Sequence, residues 1–195
     1  MDVTSERIKE AALTHFAKDG YEGASLTSIA AEVGIKKPSI YAHYKGKDDL
    51  FLSVIEDVAR DEFLFVVKFI ESSAEASLGD RLYSLLVQYQ ERFEHNDKSR
   101  FWLRTIFFPP THLYEEVMVY VYTYLDNLEG LMIPIFEKAI LDRNIQPVGA
   151  ERAAVAFIGL MDSVLVEMLY GGRERFAKRL NASWFVYWKA LNPGQ

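Results

Sequence analysis

Residues 25–51, SLTSIAAEVGIKKPSIYAHYKGKDDLF, contain the local signals of two short helices joined by a tight turn. Ser25 can cap the first helix through its hydroxyl group, and Gly34 can adopt the left-handed conformation that ends a helix. Pro38 fits the first turn of a second helix, where a backbone N–H has no helical partner. Apolar residues at helical spacing supply the inward-facing positions: Ile29, Ala30, Val33, Ile40 and Tyr44.

Two helices joined by a turn that contains glycine are typical of the helix-turn-helix motif, whose second helix enters the major groove of DNA. The whole chain has a net charge of −6, but residues 34–47 contain no acid and four lysines: Lys36, Lys37, Lys45 and Lys47. A basic tip on an acidic body suits a protein that contacts phosphate groups at one end. Four lysines in a solvated turn are also ordinary surface, so the charge alone leaves both interpretations open.

A longer series of residues surrounds this motif in a fixed order: Ala11-Ala12, Phe16, Gly20-Tyr21, Ile29-Ala30, Val33-Gly34-Ile35, Ile40-Tyr41, His43-Tyr44, Lys47 and Leu50-Phe51. With these residues, roughly the first quarter of the chain resembles the DNA-binding domain of tetracycline-repressor (TetR-type) transcriptional regulators. The ordered set of matches carries the resemblance, rather than composition or periodicity.

The resemblance implies a role for each matching residue of the motif. Contacts with the DNA backbone are expected from Thr27, Ser28, Tyr41, His43 and Lys47. Contacts with base edges are expected from Lys37, Ser39 and Ala42. Lys36 stands where the family often has a capping Ser or Thr. We therefore expect the second helix of the motif to lack a side-chain cap and Lys36 to gain a phosphate contact.

Helical periodicity continues along the rest of the chain. It predicts helices over residues 5–18, 47–72, 80–95, 98–108, 111–143, 150–170 and 173–191, with Pro134 kinking or dividing the longest of them. The predicted fold is all-α. A three-helix helix-turn-helix DNA-binding domain (residues 1–47) is joined by a long helix to a helical domain (residues 48–195), to which the resemblance assigns ligand binding and dimerisation.

Two C-terminal segments differ in their apolar surface. Residues 153–169 are apolar almost all round and must be covered on more than one side, whereas residues 173–191 are apolar on one side. The resemblance implies that these two helices form a four-helix dimer interface, with candidate residues Phe157, Leu165, Leu169, Leu180, Trp184 and Trp188. A central core helix within one subunit is the alternative for residues 153–169.

Residues 83–136 are rich in aromatic side chains, which suit either an apolar ligand cavity or an ordinary core. The resemblance favours an inducer cavity, for which the candidate lining residues are Trp102, Phe107, Phe108, Tyr120, Met132 and Asp162. A buried carboxylate facing the ligand would favour a cationic aromatic compound. Asp162 lies within an apolar segment, and it could equally form a hydrogen bond at an interface or a capping contact.

The leading interpretation is a homodimeric, ligand-responsive repressor that binds a pseudo-palindromic operator in double-stranded DNA. A small apolar or cationic aromatic inducer would release it. The alternative is a ligand-independent architectural or protein-recruiting DNA-binding protein. Thermal stabilisation by a compound would distinguish the two.

An enzyme is not expected, because the chain has no cysteine and only four histidines and shows no nucleophile motif, phosphate loop or metal-ligand spacing. No catalytic, metal or cofactor residue is predicted. The longest apolar run, residues 153–161, is far shorter than the ~20 residues that span a bilayer. With no apolar signal segment, the predicted location is the cytoplasm, without a membrane partner.

Overall fold

The computed structural model describes residues 3–192. Over these residues the chain forms α-helices and one 3₁₀ turn and contains no strand. The elements are α1 (Val3–Gly23), α2 (Leu26–Val33), α3 (Lys37–Ile40), α4 (Lys47–Ser72), α5 (Leu78–His95), α6 (Asp97–Phe107), the 3₁₀ turn Thr111–Leu113, α7 (Tyr114–Leu141), α8 (Ala150–Tyr170) and α9 (Gly172–Leu191). The predicted all-α class is confirmed.

The chain divides into two compact units. The first contains the residues up to 62 together with residues 95–122, and the second contains residues 63–94 and those from 123 onward. The first unit thus includes the predicted DNA-binding domain, the start of α4 and the segment that carries α6. The predicted functional boundary after residue 47 stays a prediction.

The core of the first unit is a cluster of phenylalanine rings from three helices. The ring of Phe16 on α1 lies 5.0 Å from that of Phe51 on α4 and 6.2 Å from that of Phe101 on α6. Each of these side chains has no more than 2% of its surface exposed. Burial of one such side chain contributes about 1.5–3 kcal/mol. The cluster therefore fixes the helix that precedes the helix-turn-helix motif against α4 and α6.

Helix α1 is longer than predicted at both ends, but it is interrupted where its end was expected. Gly20 has φ 71° and ψ 179°, outside the helical region, and the chain resumes helical geometry up to Gly23. Glycine adopts a positive φ without the steric cost that a Cβ atom would impose. The predicted stop at Asp19-Gly20 is therefore present as an interruption rather than as the end of the helix.

Pro134 lies inside α7, whose backbone stays helical from Tyr114 to Leu141. Of the two predicted effects of Pro134, division of the helix near residues 131–133 is wrong, and a kink stays a prediction. Proline removes one N–H donor and its ring crowds the carbonyl group of the preceding turn. Packing outweighs that cost, because Met132 and Phe136, on either side of the proline, expose 1% and 0% of their surface.

The second unit is built around α8 and α9. These helices follow each other in the chain and pack closely against each other. Phe157 and Val164 of α8 are fully buried, and the Tyr187 hydroxyl group of α9 donates a 2.8 Å hydrogen bond to the Ala153 carbonyl group. By length and composition alone α8 is able to cross a membrane. The uninterrupted apolar run inside it, residues 153–161, is too short to do so. In the protein 56% of its most apolar window is buried, as in the core helix of a folded unit.

An ion-pair cluster fixes the turn between α8 and α9. The buried Glu167 carboxylate accepts hydrogen bonds from Arg175, at 3.1 Å from Nε, and pairs with the Arg179 guanidinium. The hydrogen bond from Arg175, followed by the charges of both arginines, lowers the pKa of Glu167. A Cβ atom at Gly171 would collide with this carboxylate and with the Arg175 side chain. The turn therefore requires glycine for reasons of space.

Candidate nucleic-acid interface

Helix α2 has the two caps that its sequence predicts. The Ser25 hydroxyl group accepts a 3.1 Å hydrogen bond from the backbone N–H of Ser28, and Ser25 itself has extended geometry. At the other end Gly34 adopts φ 77° and ψ 29°, and its N–H donates to the Ala31 carbonyl group at 3.1 Å. Both cap predictions are confirmed, and the turn of the motif begins at Gly34 as expected.

Helix α3 is only four residues long. Lys36 occupies its N-cap without a side-chain hydrogen bond, which confirms the expected loss of capping, and Pro38 lies in the first turn. Backbone hydrogen bonds continue beyond Ile40, because the N–H groups of His43 and Tyr44 both donate to the Ile40 carbonyl group at 2.9 Å. The element predicted to face DNA is thus a short helix extended by turns.

The inward-facing positions of the motif are occupied as predicted. Burial leaves at most 7% of the surface exposed for the set Ile29, Ala30, Val33, Ile40 and Tyr44. The Tyr44 hydroxyl group also lies 2.7 Å from the Ser5 hydroxyl group and donates to the Ser5 carbonyl group at 3.2 Å. Tyr44 is therefore a packing residue, and it holds the motif against α1.

The residues predicted to contact DNA lie outside this small core. Seven of them are exposed: Thr27, Ser28, Lys36, Lys37, Ser39, Tyr41 and Ala42. The other two, His43 and Lys47, are half-buried. Tyr41 exposes 53% of its surface. The roles of the nine residues in DNA binding stay predictions.

Three further residues lie next to Lys47 at the start of α4. The Lys47 ammonium group lies 4.2 Å from the centroid of the Tyr21 ring, and the Tyr21 hydroxyl group donates to the Asp48 carboxylate. His112, from the 3₁₀ turn, places Nε2 3.3 Å from the same hydroxyl group. No function is predicted for these three residues from the sequence. Tyr21 belongs to the Gly20-Tyr21 pair in the series of residues that carries the resemblance. His112 lies 91 positions away from Tyr21, and no local sequence pattern marks it.

Residues 8–54 match the family model described as bacterial regulatory proteins, tetR family. This segment of the chain is a TetR-type DNA-binding domain. Over 55 residues the chain is 47% identical to the HTH-type transcriptional repressor SCO4008 of Streptomyces coelicolor, a match that covers 28% of the chain and 29% of that relative. The chain spans well under two thirds of the length of the curated relatives that it matches. Their names are those of transcriptional regulators, in agreement with the prediction that the chain is not an enzyme.

Solved structures resemble this chain over nearly its full length. A TetR-family regulator from Mesorhizobium loti has a TM-score of 0.73 at 19% identity and covers 97% of this chain and 96% of its own. FadR from Bacillus subtilis, solved in complex with stearoyl-CoA, has a TM-score of 0.68 at 17% identity, covering 95% of this chain and 98% of its own. These likenesses show the fold, and they confirm an N-terminal helix-turn-helix domain followed by a helical domain.

The six predicted pocket residues are divided between the two units of the chain. In the first, Trp102 is buried with 2% of its surface exposed, Phe107 and Tyr120 are half-buried, and Phe108 is 50% exposed. Phe107 and Phe108 line a groove of about 600 Å³. In the second, Met132 is buried and Asp162 is partly buried, and burial raises the pKa of Asp162 to about 6. The predicted pocket itself stays a prediction.

The predicted dimer residues also differ in exposure. Phe157, Leu165 and Leu180 lie in the core of their own chain, with 0%, 3% and 2% of their surface exposed. Leu169, Trp184 and Trp188 are half-buried. The indole ring of Trp188 packs on Gly79 of α5 and stacks on that of Trp184, with 5.4 Å between their centroids. The buried residues therefore have little surface to offer a partner, because their own subunit already covers them.

Proposed function

We propose that this protein is a ligand-responsive transcriptional repressor of the TetR family that works in the cytoplasm. A homodimer would bind a pseudo-palindromic operator in double-stranded DNA, and a small apolar or cationic aromatic inducer would release it. The observation that carries the proposal is the exposed, acid-free face of the helix-turn-helix motif between residues 34 and 47. The repressor named among its curated relatives supports the direction of regulation.

The chemistry of this face matches the two requirements of DNA recognition. Phosphate groups need cations and hydroxyl donors, which Lys36, Lys47 and Thr27 can supply. Base edges need side chains of defined shape: Lys37 can donate to guanine O6 and N7, and the Ala42 methyl group can contact thymine. With such small side chains around a four-residue helix, direct readout of bases is sparse. We infer that DNA shape and phosphate contacts supply much of the affinity.

Dimerisation is proposed because one motif reads only one half-site of a two-fold symmetric operator. Helices α8 and α9 retain exposed apolar side chains outside the core of their own unit. Val155 of α8 exposes 46% of its surface, and Phe185 and Val186 of α9 expose 61% and 68%. We therefore propose that the interface uses these exposed faces, with Leu169 at its edge, rather than the side chains that pack inside one subunit.

The inducer is proposed to bind in the helical region that follows the helix-turn-helix domain. Asp162 supports this idea, because a partly buried carboxyl group inside an apolar helix is costly unless it has a partner. A ligand amine could be that partner. FadR from Bacillus subtilis, of the same fold, holds stearoyl-CoA, so the fold is able to accommodate a large apolar ligand. Release of DNA requires the ligand to favour the state that binds the operator poorly, with about 1–3 kcal/mol of coupling.

The test is selection of bound duplexes from a random pool, followed by a search for compounds that raise the melting temperature of the protein. We expect enrichment of an inverted repeat and release of the selected duplex by a stabilising compound. DNA must then weaken compound binding by the same factor. A pool without an enriched repeat would refute sequence-specific regulation. Stabilising compounds that leave operator affinity unchanged would refute the inducer and favour the ligand-independent DNA binder.

A further inference from the structure

The ring of Tyr21 lies at a junction of two helices, α1 and α4, and the 3₁₀ turn in the first unit. It stacks on Phe16 of α1, with 6.2 Å between centroids and 7° between planes, and it meets Phe51 of α4 edge-on at 5.2 Å. Phe16 and Phe51 are both buried. One side of the ring is thus fixed by the phenylalanine core, so its orientation is set before any DNA is bound.

The hydroxyl group of Tyr21 is fixed as well. It donates to the Asp48 carboxylate in the first turn of α4, so its oxygen is left to accept from His112 Nε2 at 3.3 Å. The His112 ring also contacts the Tyr21 ring, with 5.0 Å between centroids. Burial and the Asp48 carboxylate raise the pKa of Tyr21, and the hydrogen bond from Tyr21 lowers the pKa of Asp48. The phenol therefore stays protonated and the carboxylate ionised.

The ammonium group of Lys47 lies over this fixed ring, 4.2 Å from its centroid. A cation at this distance is attracted by the negative face of an aromatic ring. A lysine side chain has four rotatable carbon bonds and loses rotamer freedom when its ammonium group binds a phosphate. A ring that already restricts the side chain reduces that loss. The adjacent Asp48 carboxylate accepts a hydrogen bond from the Tyr21 hydroxyl group and lies 3.5 Å from His112 Nε2, so its contacts are with these two residues rather than with Lys47.

We propose that Tyr21 is a positioning residue for the contact between Lys47 and a DNA phosphate, and that Asp48 and His112 hold the Tyr21 ring in place. The inference rests on the proposed DNA-binding function and extends it to residues outside the helix-turn-helix motif. His112 gives the turn after α6 a direct connection to this phosphate contact, through side chains that all belong to the first unit.

The experiment is a double-mutant cycle between Tyr21 and Lys47, measured as affinity for a labelled duplex of arbitrary sequence over a range of salt concentrations. A phosphate contact does not depend on sequence, so no operator is needed. Lys47→Ala should lower the slope of log affinity against log salt by ~0.9. Tyr21→Leu should weaken binding about two- to fivefold and lower the slope in the same direction. In the Lys47→Ala background Tyr21→Leu should have no further effect.

The matched control is Tyr21→Phe, which keeps the ring under Lys47 and removes only the hydroxyl group. It should lose less affinity than Tyr21→Leu and keep the salt slope, and His112→Ala, which acts through the lost hydroxyl group, should add nothing to it. An equal loss from Tyr21→Leu with and without Lys47 would overturn the proposal, since it would indicate a general effect on folding. An additive loss from His112→Ala in the Tyr21→Phe protein would remove His112 from it. Wild-type protein without salt-dependent DNA binding would instead refute the proposed function.

Discussion

At the scale of single residues, neighbouring lysines of the motif have different chemical surroundings. Lys36 is the uncapped N-cap of α3, whereas Lys37 begins the helix itself, and both are exposed. A phosphate contact adds affinity for every sequence, and a base contact discriminates between sequences. Because the two side chains are identical, a comparison of Lys36 with Lys37 tests the effect of position in the turn and not of charge.

We predict that Lys37→Ala relaxes the preference for one base pair of each half-site by about 1–3 kcal/mol. Lys36→Ala should instead weaken binding to all duplexes alike and reduce the salt slope by ~0.9. Binding to a panel of single-base operator variants measures both effects. Identical profiles for the two variants would show that Lys37 does not face a base.

Asp162 provides a second test at this scale, because burial raises the pKa of its carboxyl group from 3.8 to about 6. Because the pKa is raised in the folded state, the contribution of this carboxyl group to the free energy of unfolding is present below pH 4 and is lost as pH rises through 6. Asp162→Asn removes the charge. At pH 8 it should raise the free energy of unfolding by up to about 3 kcal/mol, and the gain should vanish towards pH 4.

Urea unfolding at fixed protein concentration measures this difference. The control is Asp126→Asn, which changes an exposed aspartate of α7 and should alter stability little at either pH. If Asp162→Asn changes stability by the same amount at pH 4 and pH 8, the carboxyl group does not have the inferred environment. A loss of stability at pH 8 would indicate that the carboxylate has a polar partner in the dimer.

At the scale of helices and turns, the same substitution should have opposite effects at two glycines. A Cβ atom at Gly171 would meet the Glu167 carboxylate and the Arg175 side chain in the α8–α9 turn. At Gly130, inside α7 and exposed, a Cβ atom would meet nothing within 4 Å. Crowding dominates at the first position, and helix propensity dominates at the second.

We predict that Gly171→Ala lowers the free energy of unfolding by about 1–3 kcal/mol, because the ion pairs must shift to admit the methyl group. Gly130→Ala should raise it by about 0.4–1 kcal/mol, since alanine restricts the unfolded chain and favours helix. Thermal unfolding of both variants measures the two signs. Stabilisation by Gly171→Ala would contradict the crowded geometry of the turn.

At the scale of the whole molecule, the proposed dimer depends on apolar surface that α8 and α9 leave exposed. Val186→Glu places a charge on that surface, where 68% of the valine is exposed in one chain. We predict at least a tenfold weaker dimer, because a buried unpaired carboxylate is costly, and weaker operator binding with an unchanged helical circular dichroism signal. Sedimentation over a range of concentrations measures the association.

Leu141→Glu is the matched control, because Leu141 is 81% exposed and lies at the end of α7, outside both helices. It should leave the sedimentation behaviour unchanged. A wild-type protein that remains monomeric at micromolar concentration would contradict the dimer outright. Equal effects of the two substitutions would show that an added acid acts through solubility or net charge rather than through the interface.

Local sequence signals determined the helices of this protein and the exposed face of its helix-turn-helix motif. Ser25, Gly34 and Pro38 act on their own backbone or on that of residues a few positions away, so their effects are visible in the sequence. The burial of Ile40 and Tyr44 follows from helical periodicity in the same way. The TetR resemblance added the expected roles of individual residues, which periodicity alone cannot assign.

Tertiary structure decided the features that depend on distant neighbours. Pro134 was expected to kink or divide α7, but buried residues around it keep the helix continuous. Leu165 and Leu180 looked available to a partner subunit, yet their own chain covers them, because an apolar stripe does not specify which surface will bury it. The link from Tyr21 to His112 spans 91 positions, and only folding brings such residues within hydrogen-bonding distance.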